Sequence, residues 1–130
     1  MVDDPDMCFN YGVALSELGR VEDSLAPLNK CLNIDPGYDN AAIAIGVSLS
    51  KLQRYDEAEI VLKAAAKLRP DNALVKQNLA ATLARAGKFA EALPYFREAA
   101  SLAPNHPAVR MGLANCLDAI DAPRKAARTV

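Results

Sequence analysis

The chain has 130 residues and a formal net charge of -1, so its overall charge favours neither a nucleic acid nor an acidic membrane surface as a partner. Hydrophobic residues make up 52% of the chain, which suffices for one domain with a packed core, and many of them are alanines that favour closely packed helices. No apolar run approaches the roughly 18 residues of a membrane span, and no basic segment followed by an apolar stretch opens the chain. We therefore expect neither secretion nor direct membrane insertion.

Three cysteines without CxxC spacing argue against a disulfide framework and favour a reducing compartment, so we expect a cytoplasmic protein.

Prolines divide the chain at a fixed interval. Pro36, Pro70 and Pro104 lie 34 residues apart, and each ends a similar four-residue segment. A period of this length indicates an array of repeats. Within each unit the apolar spacing is helical, as Leu79 and Leu83 show by lying one turn apart.

The pattern predicts an acidic lead over 1–4 and then alternating A and B helices, with caps at Asp4, Asp39 and Asp71. The predicted helices are A1 (5–18), B1 (21–34), A2 (39–52), B2 (55–68), A3 (73–86), B3 (89–102), A4 (107–119) and B4, which begins near Pro123. The corresponding units are 5–38, 39–72, 73–106 and a partial fourth unit over 107–130.

This arrangement resembles the tetratricopeptide repeat, a helix–turn–helix unit with a characteristic pattern of side-chain sizes. The resemblance covers nearly all of residues 5–130 and implies an all-α, right-handed α-solenoid of about three and a half repeats. The place on each A helix that must stay small holds Gly12, Gly46, Ala80 and Ala114. The seam between units is expected to be filled by Leu15, Leu49, Leu83 and Leu117.

The fourth unit departs from the family pattern. Asp121 replaces the family's usual helix-ending glycine, and Pro123 replaces the usual aromatic residue. The large early residue of helix A is also charged at Lys76 and Arg110. We expect irregular packing there, in either a fragment of a longer protein or an end that docks onto another chain.

Catalysis has little support in the sequence. His106 is the single histidine and falls in a turn, so we predict no enzyme activity, no metal site and no cofactor. Gly12 and Gly46 lie within helices and not after strands, which excludes a phosphate-binding loop. Cys8 and Cys31 fall at core places, whereas Cys116 is expected to be more accessible.

The resemblance implies that the A helices line a concave groove in which an extended peptide or a partner segment binds. The predicted groove residues are Phe9, Asn10, Val13, Ile43, Ala44, Val47, Lys51, Leu74, Gln77, Asn78, Ala81, Arg85, Met111 and Asn115. Its centre is apolar, with Phe9, Val13, Ile43 and Val47 across two units.

The polar groove residues leave alternatives open. The places that hold a C-terminal carboxylate in chaperone-binding relatives are mostly apolar here, so we predict no such clamp. Asn10 and Asn78 occupy one repeat place and fit either an interrupted asparagine ladder that grips peptide backbone or ordinary exposed polar residues.

We predict a non-catalytic module that binds a protein or peptide and no nucleic acid. One alternative is the substrate-docking arm of a larger enzyme. Another is a scaffold whose copies associate through the uncapped fourth unit. Residues 1–38 carry 2 basic and 7 acidic side chains and residues 73–130 carry 8 basic and 4 acidic ones. This asymmetry fits either an ordinary solvated surface, which is the commoner case, or head-to-tail attraction between copies.

Overall fold

The computed structural model describes residues 4–128, with side chains over 4–123, and in this range it contains helices and no strand. The helices are α1 (Pro5–Glu17), α2 (Val21–Ile34), α3 (Asp39–Lys51), α4 (Tyr55–Leu68), α5 (Ala73–Arg85), α6 (Phe89–Leu102) and α7 (Pro107–Arg128). The odd-numbered helices are the A helices of the repeats and the even-numbered ones are the B helices. The all-α solenoid is confirmed.

Capping residues set several of the helix starts. Asp4 caps α1 as predicted, because its carboxylate accepts the backbone N–H two residues on at 2.9 Å. The predictions at Asp39 and Asp71 are wrong. α3 begins at Asp39 itself, and α5 is capped by Asn72, whose side chain accepts the N–H groups two and three residues on at 3.0 and 3.2 Å.

Each of the first three units turns from its A helix to its B helix through one residue in the left-handed region. These residues are Gly19 (φ 83°), Gln53 (φ 59°) and Gly87 (φ 82°). Glycine adopts this conformation without strain, whereas a glutamine there is strained. The equivalent place in the fourth unit is Asp121, where α7 continues through Pro123 without a turn. The predicted break between A4 and B4 is therefore wrong.

The helices form two layers of unequal spacing. Each A helix contacts the next along the array, from α1 to α3, α5 and α7. In the part of the chain that the structure describes, α2, α4 and α6 make no close backbone contact with one another. Because the A helices lie closer together than the B helices, the stack curves with the A layer on its inner side.

Close packing within a unit explains the small residues of the A helices. A Cβ atom on Gly46 would lie 2.7 Å from a methyl carbon of Leu62 on α4, so the glycine faces an adjoining helix as predicted. On α7, a Cβ atom on Gly112 would lie 2.4 Å from the ring of Phe96 on α6, so this close approach joins the third and fourth units.

Hydroxyl pairs bridge helices inside the core. The side chains of Ser24 on α2 and Ser48 on α3 lie 3.2 Å apart, and those of Ser50 on α3 and Thr82 on α5 lie 3.3 Å apart. All four residues are buried. Each buried hydroxyl thus has a partner, which removes most of the cost of its burial.

The seam between units is filled where a B helix covers it. Leu15, Leu49 and Leu83 are buried, in agreement with the prediction. The prediction for Leu117 is wrong, since this side chain is 41% exposed, and Ala114 is exposed as well. Because α7 does not fold back, no helix within the described residues covers this face.

Two furrows lie on the outer side between successive B helices. The furrow between α2 and α4 has a volume of about 300 Å³, and its walls carry no charged side chain. Between α4 and α6 the equivalent furrow, of about 240 Å³, is lined by charged residues and is bridged by Lys76 and Glu98 at 2.9 Å. Ala42 and Ala64 hold the equivalent places in the first furrow, which explains its apolar walls.

Candidate partner-binding groove

The groove on the inner side of the stack is built from one stripe of each A helix. On α3 this stripe contains Ala44, Val47 and Lys51, which recur at intervals of three and four residues and so share one face. The same stripe on α5 contains Asn78, Ala81 and Arg85. Ala44 and Ala81 are half-buried and pack against the core clusters, whereas Lys51 and Arg85, at the ends of the two stripes, are exposed.

An apolar recess opens in this surface between α1 and α3. Val13, Ala44 and Val47 line it, Leu28 lies at its base and Glu17 stands at its edge. Its volume is about 170 Å³, comparable to one large aliphatic side chain. The structure thus brings together three of the predicted groove residues from two units.

The other two predicted apolar residues of the groove centre lie outside this recess. Phe9 packs against Tyr38, with ring centroids 5.3 Å apart. The Tyr38 hydroxyl donates a hydrogen bond of 2.5 Å to Asp6, and this bond is the main reason that the pKa of Tyr38 rises to about 12. Ile43 packs instead against the buried cluster that contains Val75.

Tyr38, which contacts the predicted groove residue Phe9, is a residue that the sequence reasoning missed. It lies in the turn before α3, outside the helices from which the groove residues were taken. The available signal was its repeat place, which holds Asn72 and His106 in the next two units, so that an aromatic residue there is an exception.

The asparagines do not behave alike. The Asn78 amide donates to the Leu74 carbonyl of its own helix at 2.8 Å, so part of its hydrogen-bonding capacity is used. Asn10 is exposed and makes no side-chain hydrogen bond within residues 4–123. The two residues therefore form no uniform ladder in the free protein, and a grip on peptide backbone stays a prediction.

Charges line one rim of the groove at a single repeat place. Glu17, Lys51 and Arg85 end their helices, are exposed, and have no ion-pair partner among the described side chains. Arg85 also lines an open cleft of about 530 Å³ beside the turn between α3 and α4. The rim is therefore acidic at the first unit and basic at the second and third.

The remaining predicted groove residues differ in exposure. Gln77 and Ala81 are half-buried on α5, whereas Leu74, Met111 and Asn115 are exposed. Leu74 is 42% and Met111 65% exposed, so apolar surface continues along the A layer into α7.

The two buried thiols, Cys31 and Cys116, are poor candidates for nucleophiles. Burial, followed by nearby Cys8 and Asp35, raises the pKa of the Cys31 thiol to about 11. The expectation that Cys116 is accessible is wrong: it is 1% exposed, donates to the Phe89 carbonyl at 3.3 Å, and burial raises its pKa. Both thiols are therefore protonated near neutral pH.

Within the described residues, no group of three or more His, Cys, Asp or Glu side chains is placed to hold a metal ion. His106 is half-buried in the turn before α7, and its Nδ1 atom has no hydrogen-bond partner in the range that the structure describes. None of the helices described is long and apolar enough to cross a bilayer.

Paired helices at a fixed period, with an inner layer of A helices, define a helical-repeat protein of the solenoid class. The sequence profile of the tetratricopeptide repeat matches residues 15–82 and 83–130, and the chain belongs to this family. Members of the family are typically protein-interaction modules and are generally non-catalytic.

Solved structures show the same fold. MamA of strain MSR-1 is 26% identical, with a TM-score of 0.74 over 95% of this chain and 71% of that one. MamA from Desulfovibrio magneticus RS-1 is 23% identical, with a TM-score of 0.80 over 96% and 71%. The first tetratricopeptide domain of human RPAP3 is 16% identical and reaches 0.86 over 93% and 95%. No curated protein sequence matches the chain.

Proposed function

We propose that this chain is a non-catalytic module that binds an extended peptide or partner segment along the groove of its A helices. The observation that carries the proposal is the apolar recess between α1 and α3, lined by Val13, Ala44 and Val47. A recess that leaves apolar side chains in water favours a ligand that covers them. Its place on the inner side lets a ligand contact several helices at once.

A substitution in the recess tests this proposal. Peptides selected from a random dodecapeptide library on the intact chain serve as probes. We expect Val47→Glu to weaken their binding by about tenfold or more, because it places a charge in the recess. Fluorescence anisotropy measures the affinity, and far-UV circular dichroism checks that the helices are retained.

Ile60→Glu is the matched control, since Ile60 lies on α4 in the B layer and is 70% exposed. We expect it to leave peptide affinity unchanged. Equal losses from both variants, or none from Val47→Glu, would contradict a ligand site in the recess.

We also propose that copies of the chain associate through their end faces. On α1, the side chains of Met7, Tyr11 and Leu18 are 68%, 60% and 74% exposed. The residues of α3 and α5 at the repeat places of Met7 and Tyr11 are buried, because a B helix of the preceding unit covers them. At the other end, Leu117 and Ile120 of α7 are each 41% exposed. The opposite charge of the two ends of the sequence favours contact between an α1 face and an α7 face.

Sedimentation velocity at low and high salt measures this association. We expect the wild-type chain to sediment above monomer mass at low salt, and Tyr11→Lys to restore the monomer, because it replaces an exposed aromatic side chain by a positive charge that the basic end repels. A monomer under both salt conditions at high protein concentration excludes self-association.

A further inference from the structure

Most basic side chains around the A–B turns and on the outer side are neutralised by a neighbour. Arg54 pairs with Glu57 and lies 3.2 Å from Glu22, and Lys88 lies 3.4 Å from Glu59. Such pairs leave little net charge for a ligand to sense. Five described basic side chains have no acidic partner among the described side chains, namely Lys51, Lys67, Arg85, Arg97 and Arg110. Of these five, Lys51 and Arg85 are the two that occupy predicted groove places, and they recur at one repeat place.

These two cations adjoin the apolar part of the groove. Lys51 follows Val47 by four residues on α3 and so lies one helical turn further along the same face. Arg85 holds the same relation to Ala81 on α5 and borders an open cleft, so that a ligand can reach its guanidinium. Lys51 thus lies one helical turn from the recess residue Val47, and Arg85 repeats its place on α5, beside a cleft that Asp56 and Glu57 also line.

The charge of the rim also changes sign along the array of repeats. Glu17, at the same repeat place on α1, is exposed and stands at the edge of the apolar recess. An acidic ligand is attracted at the second and third units and repelled at the first. The ligand can therefore place its acidic residues over α3 and α5, and its apolar anchor over the recess.

We infer that the groove selects acidic peptides, in which an apolar anchor enters the recess and carboxylates meet Lys51 and Arg85. This inference rests on the proposed function and specifies the ligand chemistry of the same groove. Carboxylates are favoured because Lys51 and Arg85 carry positive charge, and a guanidinium binds a carboxylate through two parallel hydrogen bonds.

Helix spacing sets the sequence pattern of such a peptide. α3 and α5 contact directly, and axes of packed helices lie about 8–10 Å apart. An extended peptide advances about 3.3 Å per residue. The two acidic residues therefore lie about three residues apart, and the apolar anchor lies about two to four residues from the nearer one.

Parallel peptide selections test the inference. A random dodecapeptide library is selected on three intact chains: the wild type, a Lys51→Glu/Arg85→Glu double variant, and a Lys67→Glu/Arg97→Glu control. Lys67 and Arg97 lie on B helices and also lack an ion pair among the described side chains, so the control changes the net charge equally. Circular dichroism confirms the helical content of each chain.

We expect the wild type and the control to select peptides enriched in Asp and Glu beside an apolar residue, and the rim variant to lose this enrichment. Replacing the acidic residues of a selected peptide by Gln and Asn should weaken wild-type binding by about two- to fivefold per residue at low salt, and by less at high salt.

The outcomes separate the two levels of the argument. The inference is overturned if the wild type selects peptides without acidic enrichment, or if the rim variant selects the same acidic peptides. The groove proposal still stands in either case if Val47→Glu weakens the binding of the selected peptides. Failure to select any peptide on the wild type, or binding that ignores Val47→Glu, counts against the proposed function itself and the inference with it.

Discussion

The third unit and the fourth place equivalent residues in opposite environments. Ala80 and Leu83 of α5 are buried, at 0% and 1% exposed, because α6 folds back over them. Ala114 and Leu117 stand at the same repeat places of α7 and are exposed. The residue types are identical, so the covering helix, and not the local sequence of the A helix, decides what the core contains.

The largest difference is expected between two leucine truncations. Leu83→Ala should lower the free energy of unfolding by about 2–5 kcal/mol, because it leaves a cavity in a closed core. Leu117→Ala should lower it by less than about 1 kcal/mol, since the removed atoms are partly in water. Urea unfolding followed by circular dichroism measures both. Similar losses would mean that something covers the α7 face in solution.

The small places of the two regions should differ in their tolerance of a larger side chain. Gly46→Val forces atoms against Leu62, and we expect a loss of about 1–3 kcal/mol. Ala114→Val meets no covering helix and should change stability by about 0.5 kcal/mol or less, the difference in helix propensity. The same unfolding measurement applies, and an equally damaging Ala114→Val would place a fourth B helix over this site.

Glycine substitutions at one repeat place should have opposite signs in two units. Gln53→Gly should raise the free energy of unfolding by about 1 kcal/mol, because it relieves a left-handed backbone. Asp121→Gly should lower stability by a few tenths of a kcal/mol, roughly the helix-propensity difference, since α7 is helical there. A stabilising Asp121→Gly would instead show that the fourth unit turns in solution as the first three do.

The smallest contrast concerns the charged early residues of α5 and α7. Lys76→Ala removes the ion pair with Glu98 and should lower stability by about 0.2–1 kcal/mol at low salt. Arg110 holds the same repeat place and is exposed, without an ion pair among the described side chains. Arg110→Ala should leave the unfolding midpoint unchanged. Equal shifts of the midpoint in Lys76→Ala and Arg110→Ala would show that the ion pair with Glu98 adds no stability.

Much of the fold could be predicted from the sequence, because the 34-residue period and the apolar spacing both report helix pairs. The bounds predicted for the B helices agree with α2, α4 and α6. The absence of a turn before Pro123 could not be predicted. Gln53 shows that a left-handed turn can form without glycine. The aspartate at position 121 therefore does not by itself predict whether the fourth unit turns there.

The path of α7 follows from the residues after Asp121. The stretch Pro-Arg-Lys-Ala-Ala-Arg carries few large apolar side chains, so folding it back would bury little surface, whereas a continued helix keeps its backbone hydrogen bonds.

Fewer features of the groove than of the fold could be predicted from the sequence. A repeat place indicates which face a residue occupies, but not its contacts. Val13, Ala44 and Val47 meet in one recess, while Phe9 is held by Tyr38 and Ile43 by the core. Such contacts depend on residues in turns and in neighbouring units, which the pattern of one helix does not contain.

The uncharged furrow between α2 and α4 has a practical consequence for handling the protein. Ile60 and Leu68 are 70% and 57% exposed beside it. Hydrocarbon surface of this kind adsorbs to air–water interfaces and to chromatography resins with alkyl ligands. Placing a charge on the exposed wall of this furrow, as in Ala64→Glu on α4, should therefore shorten retention on such a resin without altering the groove on the other side.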